Sequence, residues 1–249
     1  MLTFGALIPP SPLFLNPSVP FIYFIPSLYS PPSPLFSGCA YNPYCMKSDQ
    51  PDFYHNRLLQ GVLAWLLLLW IVMAISPFDR RDWLLENLLV FFYAAVLVLS
   101  YRRFTFSNTS YVLFSIFMSL HLVGAHYTYS EVPLGHWLRD SLGLSRNHYD
   151  RIVHFSFGLL IAYPFRELLM RAAGVIRSWS YIMAVAMVLA FSAFYEVMEG
   201  IVAMLVAPDL GMAYLGTQGD EWDAQKDSFL AFSGSLVAML VTRLAVRMA

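Results

Sequence analysis

Six apolar runs, each close to the length that crosses a bilayer, constrain this chain more than any other feature. They fall near 58–76, 83–100, 110–129, 150–171, 179–207 and 228–246, against the ~20 residues that a spanning α-helix needs. Hydrocarbon offers no hydrogen bonds to backbone groups, so runs of this kind must be helical. Composition separates them from the buried helices of a soluble protein. The chain is 58% hydrophobic and 12% charged, with a mean hydropathy of +0.58, whereas soluble domains carry roughly 25% charged residues. The expected fold is all-α, a polytopic membrane helix bundle of about six transmembrane helices, and its mostly short connections make sequence neighbours antiparallel. Pro164 interrupts the fourth run, which ends on Arg166, Glu167 and Arg171, so a kink is expected near that end.

The first 45 residues differ from everything that follows. They hold ten of the fifteen prolines, both cysteines (Cys39 and Cys45) and no charged residue. Proline at that density forbids a spanning helix, and a signal peptide would need a positive n-region. Met46-Lys-Ser-Asp-Gln50 then reads like an ordinary start. Two readings follow: a mis-assigned start with translation beginning at Met46, which we prefer, or a disordered Pro-rich extension. Either way, residues 46–249 form a single transmembrane helical domain that has no cysteine for a disulfide or a thiolate metal site.

Orientation follows from the distribution of Lys and Arg. With the N-terminus inside, Lys47, Arg57, Arg102, Arg103, Arg166, Arg171, Arg177, Arg243 and Arg247 are cytoplasmic, against Arg80, Arg81, Arg139, Arg146, Arg151 and Lys226 outside. Nine against six places both termini inside. The formal net charge is -1 and no basic patch dominates, which excludes nucleic acid as a partner. The lipid bilayer is the partner the chain requires.

Ionisable residues within or beside the apolar runs point to chemistry. Glu196 and Glu199 lie inside the fifth run, at a depth where such groups cost a few kcal/mol or more and need partners or water. The other candidates are His121 and His126, Asp150 and His154, and Asp220, Asp223 and Asp227. In the topology above all belong to the outer half of the membrane or just beyond it. Asp150/His154 and Asp223/Asp227 are i,i+4 pairs, and Glu196/Glu199 an i,i+3 pair, so each shares a helix face. His121 and His126 point about 140° apart on a helix, and of the two His126 is expected to be the nearer contributor. Facing carboxylate and imidazole pairs are how bundles assemble metal sites. The donors suit a divalent cation such as zinc, manganese, magnesium or iron. The structural alternatives are plain: Asp150, Asp223 and Asp227 can cap helices, and His154 can be a hydrogen-bonded core residue. Glu196 and Glu199 have the weakest such alternative, because adjacent carboxylates repel when both are ionised.

The loop Gly211-Met-Ala-Tyr-Leu-Gly-Thr-Gln-Gly-Asp-Glu-Trp-Asp-Ala-Gln-Lys-Asp227 is the second informative stretch. Gly216 and Gly219 permit positive φ and close approach, and Trp222 suits the membrane interface. The spacing is neither an EF-hand nor a phosphate loop.

Four stretches carry a resemblance: Gly124-Ala-His-Tyr-Thr-Tyr129, Arg146-Asn-His-Tyr-Asp-Arg-Ile-Val-His154, Tyr195-Glu-Val-Met-Glu199 and Tyr214 through Asp227. Together they resemble the YjdF family of bacterial inner-membrane proteins, from about Asp49 to the C-terminus. The resemblance implies a multi-pass inner-membrane location and supplies no activity. It excludes the Pro-rich segment, in keeping with a start at Met46. Asp150-Arg-Ile-Val-His154 opening a helix, a later helical glutamate, and Asp227 ahead of Gly234 also resemble the VanZ-like pattern, which implies a cell-envelope or lipid-related role. Two classes of function stay open. One is an enzyme, a metal-dependent hydrolase or transferase acting on a lipid or envelope headgroup, with Glu196, Glu199 or His154 as catalytic groups. The other is a non-catalytic membrane protein whose carboxylates bind a cation, carry protons or lock the bundle.

Overall fold

The computed structural model describes residues 52–248, all within one compact unit. The expectations for the Pro-rich segment, with Cys39 and Cys45, lie outside the described residues. After a short 3-10 turn at Phe53–His55 the chain forms α1 (Arg57–Met73), α2 (Arg80–Ser100), α3 (Asn108–His126), α4 (Pro133–Leu142), α5 (Tyr149–Arg171), α6 (Arg177–Leu205), α7 (Pro208–Leu215) and α8 (Asp223–Met248). Among the described residues there is no strand. Five of these helices (α2, α3, α5, α6 and α8) are long and apolar enough to cross a membrane. The sixth run, α1, is an apolar helix of 17 residues, at the lower limit for a span. The chain is thus a polytopic helical bundle.

Local chemistry sets the ends. Asn56 caps α1 by accepting from the Leu59 amide, Asp79 caps α2 through the Arg81 and Asp82 amides, and Ser107 caps α3 through Ser110, each satisfying donors that a helix start leaves free. The two short helices begin on Pro133 and Pro208 and stop at Gly143 and Gly216, whose positive φ (64° and 58°) ends the helix. The fourth run is one continuous helix through Pro164.

α3 stops three residues short of the expected end. Thr128 and Tyr129 both take positive φ (50° and 53°), a conformation that costs non-glycine residues about 1–2 kcal/mol each. That turn folds the Tyr129 ring back over Gly124, where a Cβ would overlap it, and sets its hydroxyl 2.6 Å from His121 Nδ1. α8 begins at Asp223, five residues before the apolar run does, so Asp223 and Asp227 both lie on its first turns.

α3 and α5 form the centre: 56% and 50% of their spanning stretches are buried, against 17% for α2 and α6 and 28% for α8. Aromatic packing joins α3 to α5, with Phe117 and Phe157 ring centres 5.4 Å apart. α5 and α8 cross with their backbones in contact. A methyl group at Gly158 would overlap the Ala231 carbonyl, and one at Gly234 the Phe155 carbonyl. Small residues at a crossing are what membrane helices use to approach closely. At the end away from Asp150, Glu167 on α5 accepts from the Ser107 amide (2.8 Å) and hydroxyl (2.7 Å) and pairs with Arg171, fixing α3 against α5.

Candidate cation site

The first two turns of α5 supply Asp150 and His154, stacked one turn apart. His154 Nε2 stands 3.5 Å from Asp150 Oδ1 and 3.4 Å from Glu196 Oε1 on α6. Asp227, one turn into α8, closes the group: Asp150, His154 and Asp227 each offer a ligand atom, and these atoms all lie within 4.8 Å of one another. His154 and Asp227 are buried, at 9% and 2% exposure. Asp227 Oδ1 and Glu196 Oε1 are buried acceptors with no hydrogen-bond partner among the described residues. Buried polar atoms are normally satisfied, so two orphans in one cluster call for an explanation.

A network of arginines and aspartates holds this group from above. Arg146 donates to both oxygens of Asp223, at 2.5 and 3.3 Å, and to the carbonyls of Thr217 and Gly216. Arg151 pairs with Asp220 and lies 3.2 Å from Asp223. Lys226 reaches Asp220 at 2.6 Å. Asn147 and Gln218 exchange two hydrogen bonds, Asn147 N–H to Gln218 Oε1 at 3.0 Å and Gln218 Nε2 to the Asn147 carbonyl at 2.9 Å. The segments 146–154 and 214–227, far apart in sequence, are therefore one structure. The Lys226 ammonium, followed by the Trp222 amide and Arg151, holds the Asp220 carboxyl down to about 2, against burial that pushes it up. His148, at the start of α5, is lowered by burial and then by Arg151 and Arg146.

A further layer of polar residues comes from α2. Asp82, Glu86 and Asn87 are buried at 0%, 2% and 0% exposure. Both oxygens of Asp82 and Oε2 of Glu86 have no hydrogen-bond partner among the described residues. Glu86 lies beside Tyr195 and within electrostatic reach of Asp82, Asp150 and His154. Its carbonyl sits 3.2 Å from His121 Nε2. Asn87 is satisfied, accepting from Trp70 Nε1 at 2.7 Å and donating to the Trp83 carbonyl at 2.6 Å. Tyr214 on α7 faces Glu86, Glu199 and Tyr195, and burial raises its hydroxyl. Tyr129 is likewise raised by burial.

The residues singled out in the sequence thus divide into four groups. Asp150, His154 and Asp227 come together, with Glu196 at their edge. Glu199, a turn further along α6, lies among Glu196, Asp150, Glu86 and Tyr195. Asp220 and Asp223 are committed to arginines and a lysine. His126 sits with Nδ1 2.9 Å from the Met73 carbonyl at the end of α1, outside the close trio, whereas His121 is buried at 1% exposure between Tyr129 and α2. Sequence reasoning passed over Asp82 and Glu86: Asp82, next to Arg81, reads as a flanking charge, and Glu86 was not singled out. The available signal was their i,i+4 spacing, with Glu86-Asn87 set inside Leu84-Leu85 and Leu88-Leu89.

Chemically, three carboxylates and one imidazole from three helices make an oxygen-and-nitrogen donor set for a hard or borderline divalent cation. Glu199, Tyr195 and Glu86 lie behind it as a second layer able to orient ligands or carry protons.

Residues 58–247 match the family described as "Predicted membrane protein (DUF2238)". A protein of Escherichia coli (strain K12), "Inner membrane protein YjdF", is 36% identical over 176 residues, which cover 70% of this chain and 84% of that protein. No solved structure matches.

Proposed function

Since the chain belongs to the DUF2238 family of predicted membrane proteins, we propose that this multi-pass inner-membrane protein binds a divalent cation between α5, α6 and α8 and uses it in cell-envelope or lipid metabolism. Asp150, His154 and Asp227 are the ligands, with Glu196 completing the set. The observation that carries this reading is the 4.8 Å convergence of three donors beside two orphaned carboxylate oxygens. A cation satisfies those oxygens and offsets the mutual repulsion of the three carboxylates. The clamp of Arg146 and Arg151 is already neutralised by Asp220 and Asp223, so it serves to place α8 and leaves the donors free.

The test is elemental analysis of protein purified without added metal, alongside Asp227→Asn and His154→Ala. A stoichiometric divalent metal in the parent protein, lost from both variants, is the expected result. Metal-free parent protein that also takes up no zinc, manganese or magnesium on titration sinks the reading.

A second reading makes the site catalytic, a metal-dependent hydrolase or transferase acting on a headgroup. Glu199 favours it, being one turn from Glu196 but outside the donor trio: a cation held by Asp150, His154 and Asp227 would supply Lewis acidity, and Glu199 would be placed to serve as general base. Both readings put the site toward the outer face with the termini cytoplasmic, supported by the nine-to-six distribution of Lys and Arg. Labelling of single cysteines introduced at Thr217 and Ser178, with Cys39 and Cys45 replaced by serine, checks this: only the former should react with an impermeant reagent added from outside.

A further inference from the structure

α6 and α8 enclose a groove of about 500 Å³ lined by Leu189, Ala193, Val197, Phe229 and Phe232, with Glu196, Ala224, Gln225 and Ser228 completing its wall. That volume falls in the roughly 300–1,000 Å³ range of small-molecule sites. Its position is unusual, because both walls are helices long and apolar enough to span the membrane. The medium outside the groove is therefore lipid.

Polarity along the groove is graded. α6 and α8 run antiparallel: Glu196 lies near Asp223 and His154, while Ala184 shares a packed cluster with Ala238. Glu196, Gln225 and Ser228 thus stand together at the end nearest the start of α8, and Leu189 and Phe232 at the deeper end. From Leu189 to Val197 the wall extends about 12 Å at 1.5 Å per residue. Glu196 joins this groove to the donor cluster, since it both lines the wall and approaches His154 at 3.4 Å. Its Oε1 is one of the two orphaned oxygens. Oε1 itself is buried toward His154, and the side chain is 13% exposed. An acidic side chain partly exposed on the wall of a groove facing hydrocarbon is costly unless a polar ligand covers it.

We propose that this groove is a lateral entrance through which a membrane phospholipid reaches the site, one acyl chain lying along Leu189, Ala193, Phe229 and Phe232 and its phosphate meeting the cation at Glu196. The inference rests on the cation reading for its headgroup: three carboxylates repel a bare phosphate, whereas a divalent ion bridges the two. The groove itself stands on geometry alone. A chain in the bilayer needs no desolvation to enter it, and a headgroup arriving from the side stays at the depth of Gln225 and Ser228, near the membrane face. The substrate class is thus a phosphate ester carrying a hydrocarbon chain, delivered from within the membrane.

Photo-crosslinking tests this. The full-length protein is reconstituted in phosphatidylethanolamine–phosphatidylglycerol vesicles containing a phospholipid with a diazirine midway along one acyl chain. Labelled peptides are mapped by mass spectrometry, and cation content is measured on the same sample. Labelling should be several-fold stronger on 189–197 and 224–232 than on the exposed face of α2. Ala193→Trp, which fills the groove, should reduce it to the α2 level. Leu99→Trp, on the lipid-facing side of α2, should leave it unchanged. A diacylglycerol with the same diazirine chain but no phosphate should label the groove weakly. Even labelling over all lipid-facing helices, labelling indifferent to Ala193→Trp, equal labelling by the phosphate-free lipid, or crosslinks joining the groove to a second copy of the chain each overturns the proposal. Protein that carries no divalent cation yet labels the groove in a phosphate-dependent manner leaves the entrance standing and removes the cation.

Discussion

Arg146 grips Asp223 through both terminal nitrogens, at 2.5 and 3.3 Å, and so ties the segment leading into α5 to the first residue of α8. The pair is buried, with 7% and 5% side-chain exposure. Asp223 lies one turn before Asp227, and Arg146 lies four residues before Asp150 in the segment leading into α5, so the spacing of the two facing carboxylates depends on this clamp.

Removing the guanidinium takes two charge-assisted hydrogen bonds from the buried Asp223 and leaves it Arg151 alone, at 3.2 Å, which costs about 1.5–3 kcal/mol. Arg146→Ala is expected to lower the unfolding midpoint in detergent strongly. Arg146→Lys keeps the charge but loses the fork, and should fall between the two. An alanine variant as stable as the parent contradicts the assignment of the clamp.

Acid should weaken the loop in a defined window. The Asp220 carboxyl is held from its ordinary 3.8 down to about 2, chiefly by Lys226. A lowered folded-state value means a stabilising contribution that is complete above the ordinary value and is lost as pH falls toward about 2. Parent protein and Asp220→Asn should therefore differ in stability at pH 6 and converge as the pH drops through that window. A stability difference independent of pH refutes the ion-pair account.

Two glycines in helices should respond oppositely to the same change. Gly158→Ala drives a methyl into the Ala231 carbonyl and is expected to cost about 1–3 kcal/mol as overpacking. Gly200 has nothing within 4 Å of where its Cβ would stand, so Gly200→Ala should be neutral or stabilise by about 0.5–1 kcal/mol. Thermal unfolding of the two variants side by side checks both signs.

Glu86 offers a fourth test. Its Oε2 is buried without a hydrogen-bond partner among the described residues, so Glu86→Gln removes the capacity for charge at nearly constant shape. The variant should fold and match or exceed the parent in stability, because an uncompensated buried charge is unfavourable. A large loss of stability shows instead that the ionised carboxylate is held by a specific partner.

Much of the bundle was legible because membrane helices announce themselves by length. Six apolar runs correspond to α1, α2, α3, α5, α6 and α8, with ends displaced by a few residues. α4 and α7 were not legible, being too short to register as apolar runs even though Pro133 and Pro208 mark their starts. Helical spacing indicated that Asp150 and His154 share a face. It favoured His126 over His121 as the nearer contributor, without sight of the left-handed turn at Thr128 and Tyr129, which returns Tyr129 to His121. The charges at the edge of α2 were ambiguous for a related reason. Asp79 and Asp82 flank the same arginines in sequence, yet Asp79 caps the helix at the surface while Asp82 is fully buried. Only the packing of α2 against its neighbours separates them.

The contact of Gly158 and Gly234 has a mechanical consequence. With backbone against backbone, no compressible layer of side chains lies between α5 and α8, so the two act as one strut. Asp150, His154 and Asp227 ride on that strut and keep their spacing, while Glu196 and Glu199 ride on α6 beside it. The proposed site is thus built like a vice with one stationary jaw, and if it takes a cation the fit is set by where α6 places Glu196.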